Sequence, residues 1–341
     1  MLRFWIGALA ALALPAAAQD FELQKRRCEN RDNGFALEQQ VEGCTFLIAS
    51  GRLSTRGLAM AHSNRGSALA AQNRLAPAMQ DYDQAIRIDT ENADALKNRG
   101  DAHRRLGAPE RALADYDRAL ALAPQDAVAL HLRGNLYARQ GQYERAIQDL
   151  DGAIRLAPGE AAALHSRGIC HAQLGRHARA IRDYDAAIGL NPQDAAPFYN
   201  RGVSQARLGR HDRAIADYDA ALRLDPGYAS ALNGRCHARA VRDELRAALA
   251  DCDAALRLRA QDAAILANRA LVYLKLRQPR RARADYEAAL KLEPQSARAL
   301  YGRGLARKRL GEAAGGTADL ARARKLQPGI AKEMARDGLR P

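Results

Sequence analysis

The side chains with the chemistry to act fall into three sets, and all three keep step along the chain. Histidine is the first, with eight copies. His131 and His165 are separated by the same step as His177 and His211, a regularity that raises metal ligation. Neither pair has a Cys or carboxylate beside it to complete a four-ligand site. Packed helices also stand about 8–10 Å apart, too far for easy sharing of one ion. The second set is an arginine followed by an aspartate at one fixed interval, as in Arg99 and Asp115, and it occurs eight times. A perturbed acid–base pair can mark an active site, but eight identical pairs serve an architecture rather than a reaction. Cysteine is the third set. Cys28 and Cys44 are as far apart as Cys236 and Cys252, and Cys170 stands alone. No HExxH, GxSxG, phosphate loop or dinucleotide fingerprint occurs, and Gly302-Arg303-Gly304 belongs to a repeat. The sequence therefore predicts no catalytic residue, no metal and no cofactor: the chain reads as a non-enzyme.

The elements that carry these sets are set by a period. The aspartate returns at Asp81, Asp115, Asp149, Asp183, Asp217, Asp251, Asp285 and Asp319, always at the same interval, with Arg65 to Arg303 in the same step. A period of this length, held without insertion, marks an array of two-helix units, hence an all-α solenoid. In residues 93–126, Leu96, Gly100 and His103 mark one face of a first helix, and Gly107 supplies a left-handed stop. Pro109 and Glu110 open a second helix whose apolar face is Ala112, Leu113, Tyr116, Ala119, Leu120 and Leu122. Pro124 ends it, and Asp126 is placed to cap the next helix. Regular repeats span 59–330, after an irregular two-helix capping unit at 19–58 and before a tail, 331–341, too short for a capping pair. The Arg99–Asp115 pair and its equivalents are expected to form an ionic ladder between helices, exposed and worth about 0–1 kcal/mol a rung.

The first residues read as a secretory signal: Arg3, an apolar run from Phe4 to Leu14, and small residues up to Ala18. Cleavage after Ala18 would leave Gln19 first and place the mature chain in the periplasm or outside the cell, without stable membrane insertion. The net charge of +14 is spread as Arg through every repeat, which suits a solvated surface better than a nucleic-acid footprint.

Gly100, Ala112, Tyr116, Ala119 and Pro124, with their copies, resemble the tetratricopeptide repeat over about residues 20–330. Arg at repeat position 7 and Leu or His at position 4 depart from that pattern. The resemblance implies a right-handed superhelix whose first helices line a concave groove that holds a protein or peptide. Function then belongs where the copies differ on that side. Position 5 carries His131, His165 and Tyr199, position 9 carries Asn135, Ile169 and Val203, and Arg139 and Arg207 flank them. Toward the C-terminal end the same positions turn apolar and aromatic, with Leu271, Tyr301 and Leu305. A basic rim of Arg104, Arg105, Arg139, Arg207, Lys275, Lys308 and Arg309 suits a partner with acidic groups. Tyr199 is expected to be the anchor, its loss together with Ile169→Asp leaving stability unchanged. An adaptor for an anionic envelope polymer or membrane surface is the alternative, as is an accessory subunit of an enzyme complex. The oligomeric state is not legible.

Both Cys pairs fall at repeat positions 8 and 24, where repeats elsewhere carry a small residue and an aromatic. Repeat six replaces its Gly and its Tyr together. Position 8 is where two helices approach closely, and an oxidising compartment permits the bond. The sequence thus predicts disulfides Cys28–Cys44 and Cys236–Cys252, with Cys170 free.

Overall fold

The computed structural model describes residues 16–340, and among these residues every regular element is a helix. The signal expected at 1–18 lies, apart from its last residues, outside them. The chain divides into two compact units, one ending at Ala157 and the other beginning at Pro158. The first holds α1 (Ala16–Glu29), α2 (Leu37–Ser50), α3 (Thr55–Ala71), α4 (Leu75–Ile88), α5 (Ala93–Arg105), α6 (Pro109–Leu122), α7 (Ala127–Arg139) and α8 (Tyr143–Leu156). The second holds α9 (Ala161–Gln173), α10 (His177–Leu190), α11 (Ala195–Arg207), α12 (His211–Leu224), α13 (Ala229–Val241) and α14 (Leu245–Leu258). It continues through α15 (Ala263–Lys275), α16 (Pro279–Leu292), α17 (Ala297–Arg309), α18 (Ala313–Leu326) and α19 (Ile330–Arg336).

The boundaries follow local chemistry. Asp126 Oδ1 accepts hydrogen bonds from the backbone N–H groups of Val128 and Ala129, which caps α7 as the sequence suggests. The turn from first to second helix needs a left-handed residue, and Gly107 supplies it at φ 76°. Repeat seven puts Arg277 there instead, at φ 58°, a conformation costing a side-chain-bearing residue roughly 1 kcal/mol or more. Leu122 does not join the apolar face of α6. It sits in the last turn, 42% exposed, while Ala112, Tyr116, Ala119 and Leu120 are buried.

Within a repeat the helices meet at a glycine. A Cβ on Gly100 would stand 2.8 Å from the Tyr116 ring, and one on Gly202 2.8 Å from the Tyr218 ring. The aromatic fills the space that the small residue leaves, so the two positions act as one packing unit. In repeat six Cys236 and Cys252 occupy this seam with their Sγ atoms 2.02 Å apart, at disulfide distance. Cys28 and Cys44 do the same between α1 and α2, at 2.08 Å. Cys170 is buried and unpaired, and burial pushes its thiol up to about 11.

The arginine ladder is more buried and more fully hydrogen-bonded than expected. Nε and Nη2 of Arg99 hold the two oxygens of Asp115 at 2.9 and 2.7 Å, while Nη1 reaches back to Asp83 of the preceding repeat at 2.8 Å. Arg133 and Arg269 repeat this fork. All eight position-23 aspartates are buried, at 4–8% exposure, so the expected worth of an exposed pair does not apply. A buried carboxylate that loses its only cation is strongly destabilising.

Candidate binding surface on the first helices

First helices of successive repeats touch one another: α1, α3, α5 and α7 in the first unit, α9 through α17 in the second. Neighbouring second helices have no comparable contact among the described residues. The first-helix layer is therefore the more tightly spaced one in each unit, and its outer positions present the variable side chains.

On α7 in the first unit, Nε2 of His131 and Nδ2 of Asn135 lie 3.0 Å apart, both side chains half-buried, with Arg139 exposed one turn on. The other five residues stand on α9 and α11 in the second unit. His165 Nε2 is 2.8 Å from Asn200 Nδ2, and its ring lies 5.8 Å from that of Tyr184. Burial pushes His165 below the usual imidazole range, although Asp194 opposes it. Ile169 and Val203 are half-buried, and Arg207 is exposed.

Tyr199 is more enclosed than a free anchor would be. Its ring lies 4.9 Å from Tyr228 and 6.1 Å from Tyr218, and burial raises its hydroxyl above the ordinary phenol range. Truncating it removes aromatic packing worth about 0.5–1.5 kcal/mol beyond area burial, so stability cannot stay unchanged. Position 6 was missed by sequence reasoning. Asn200 and Asn268 each reach the position-5 residue of the preceding repeat, His165 and Asn233. Their recurrence as Asn64, Asn98, Asn200 and Asn268 was the available signal.

The basic rim is in large part structural. Arg105, Lys275 and Arg309 donate to the carbonyls of Ala70, Ala240 and Leu274, at 2.9, 2.6 and 2.7 Å. Each of these carbonyls lies in the last turn of the preceding first helix, where a cation complements the helix dipole. Arg104 is paired with Asp101 at 2.7 Å. Lys97 is held by Asp94 and Asp126, at 2.9 and 2.7 Å. Arg139, Arg207 and Lys308 are exposed, have no ion pair with any described residue and remain the open cations of the rim. Among the described residues, no three His, Cys, Asp or Glu side chains gather as a metal site would require.

Models of the tetratricopeptide repeat match residues 131–195 and 267–329, and again 93–126 and 195–228. A TPR repeat model matches 66–107, so that the spans together exceed half the chain. The chain belongs to the tetratricopeptide repeat family. As a tetratricopeptide protein it is similar to a solved one from Parabacteroides merdae, at 24% identity and a TM-score of 0.52. That match covers 74% of this chain and 99% of the other. It is also similar to pilF of Pseudomonas aeruginosa, at 20% identity and a TM-score of 0.56, over 62% of this chain and 97% of that one. Both likenesses concern the fold. No curated protein matches the sequence at a significant level. The all-helical solenoid expected from the repeat period is thus the tetratricopeptide architecture, a scaffold for protein interaction.

Proposed function

We propose that the protein is an exported scaffold that binds a protein or peptide partner on the inner face of its first helices, without catalysis. The observation that carries this reading is the face of α9 and α11. It presents His165, Ile169 and Val203 half-buried, with the unpaired Arg207 at its edge. Part-exposed apolar side chains beside an open cation suit a segment with apolar anchors and an acidic group. On α7 of the first unit His131 and Asn135 offer polar groups beside the exposed Arg139, without an apolar anchor. Export is supported by the Arg3–Ala18 pattern and by two Cys pairs at disulfide distance, a bond that persists in oxidising compartments. A purely ionic adaptor is less well supported, because Arg105, Lys275 and Arg309 already serve helix ends and Arg104 is paired with Asp101.

A photo-crosslinking side chain at position 203, with a second chain carrying it at Arg182 on α10, tests the surface in the native envelope. A discrete adduct from 203 and none from 182 is expected. Equal adducts from both, or none from 203, overturn the inner-face reading. N-terminal sequencing of the native protein should begin at Gln19, and a retained Met1 overturns export.

A further inference from the structure

Positions 5 and 9 of the last two repeats behave unlike those of repeats four and five. Tyr301, Leu271 and Leu305 are 0%, 0% and 2% exposed, whereas His165, Ile169, Tyr199 and Val203 are half-buried. What covers them is the chain's own end. Ile330 and Met334 of α19, with Leu339 beyond it, join Leu271, Tyr301 and Leu305 in one buried cluster. The tail, too short for a capping pair, is therefore an ordered strap.

Its polar contacts reach further back than a cap on the last repeat would. The Asp337 carboxylate lies 2.6 Å from Arg298 Nη2 on α17 and 3.2 Å from His237 Nε2 on α13. The Asp337 carbonyl accepts from Lys275 Nζ on α15 at 3.3 Å. Three first helices thus converge on one residue of the tail, two positions before a buried leucine. Glu333 adds a contact to Arg298 at 3.1 Å. The fit is incomplete at Tyr301, which is fully buried under the strap, yet its hydroxyl has no hydrogen-bond partner among the described residues. Tyr286 is the seam tyrosine of repeat seven and is left unmet just as Tyr116 is in repeat two, where no strap lies. A short terminal helix such as α19 opens more readily than the array behind it.

We infer that the inner face of α13, α15 and α17 is a peptide site held by the protein's own C-terminal segment. In its place the site accepts a partner segment that carries a carboxylate two residues before a leucine. This inference deepens the scaffold reading and rests on it. The tail is the resident competitor: a bound partner must displace it, and its local tethering keeps weak ligands out.

The test uses the full chain and a fluorescein-labelled peptide of residues 330–340, followed by anisotropy. Asp337→Lys with Leu339→Asp releases the tail without shortening the chain. The released variant is expected to bind the peptide at least tenfold more tightly than the unmodified chain. A peptide with the Asp337→Lys change should bind it at least tenfold less well. Equal binding by the two folded chains, or none by the released one, overturns the inference. In the unmodified chain, hydrogen exchange at 337–339 should be at least tenfold slower than in the free peptide. Unprotected exchange there also overturns it, whatever the variant does. Crosslinking from position 203 is independent of both outcomes, so failure here leaves the scaffold reading standing.

Discussion

The inner face of repeats one and two and that of repeats seven and eight are built on the same frame and end in opposite states. In the first, Asn98 donates to Ser67, Arg104 holds Asp101, and Lys97 sits between Asp94 and Asp126. In the second, Leu271, Tyr301 and Leu305 lie under α19 and Leu339. A polar face can satisfy itself sideways, residue to residue along the layer, and stay open to water. An apolar face has no such route and must be covered. The frame decides where side chains stand, and the variable positions decide whether the surface stays bare.

If the frame is common, breaking it must cost the same in both regions. Arg99→Ala and Arg269→Ala each strand a buried aspartate, Asp115 or Asp285, and should each cost about 3–5 kcal/mol, read from urea unfolding followed by local hydrogen exchange. Asp83→Ala removes only the half-exposed arm of the same fork and should cost about 0–1 kcal/mol. A large gap between the two arginines would show that the regions do not share one frame.

A smaller effect is expected at the seam of repeat six, which lies ahead of the covered region. Each Cys pair has a sequence separation of 16, and for a loop of that size chain entropy gives roughly 3 kcal/mol less any strain. Reduction should therefore raise exchange in α13 and α14 and, separately, in α1 and α2. Protection in α5 and α6 should not move.

Acid separates the two regions further. Burial works against charge on Asp337, yet His237 and Arg298 prevail and hold its carboxyl below the usual carboxylate range. Lys275, His211, Glu333 and the buried Tyr286 are the other charged or titratable groups near it. A lowered carboxylate contributes stability that is full above the unfolded value near ~3.9 and is lost as pH falls through the folded value. Exchange at 330–340 should thus rise below about pH 4 and hold steady above it. A tail whose exchange does not change below about pH 4 would mean that the Asp337 carboxylate does not hold it.

The smallest change is Lys97→Ala. One of its partners, Asp94, is 76% exposed, so the loss should stay within about 0–1 kcal/mol in thermal melting. A much larger loss would mean that the polar face is as closely built as the covered one.

How far these differences could be read in advance depended on whether they were periodic. The helix pairs, the cap at Asp126 and the partnership of Arg99 with Asp115 all follow from a spacing that repeats. The second arm of each fork, to residues such as Asp83, takes the same step in the other direction, and only the stacking of neighbours selects it. The Cys pair of repeat six was legible because both partners changed at a Gly–Tyr contact. Tyr199 looked free because Tyr228 stands at the end of its repeat, outside any first-helix position. The tail was illegible for a plainer reason. Its contacts join Asp337 to His237 and Lys275, and no local pattern at 331–341 points so far back along the chain.

The Gly–Tyr seam has one more consequence, for how such a chain can be edited. Because Gly100 meets Tyr116 inside a single repeat, a whole repeat is a portable module: duplicated or excised in register, it carries its packing with it. The strap is not portable. It is addressed to His237, Lys275 and Arg298 in three consecutive modules. Lengthening the array ahead of residue 229 keeps that address intact, whereas one module inserted between 229 and 330 pulls its coordinates apart.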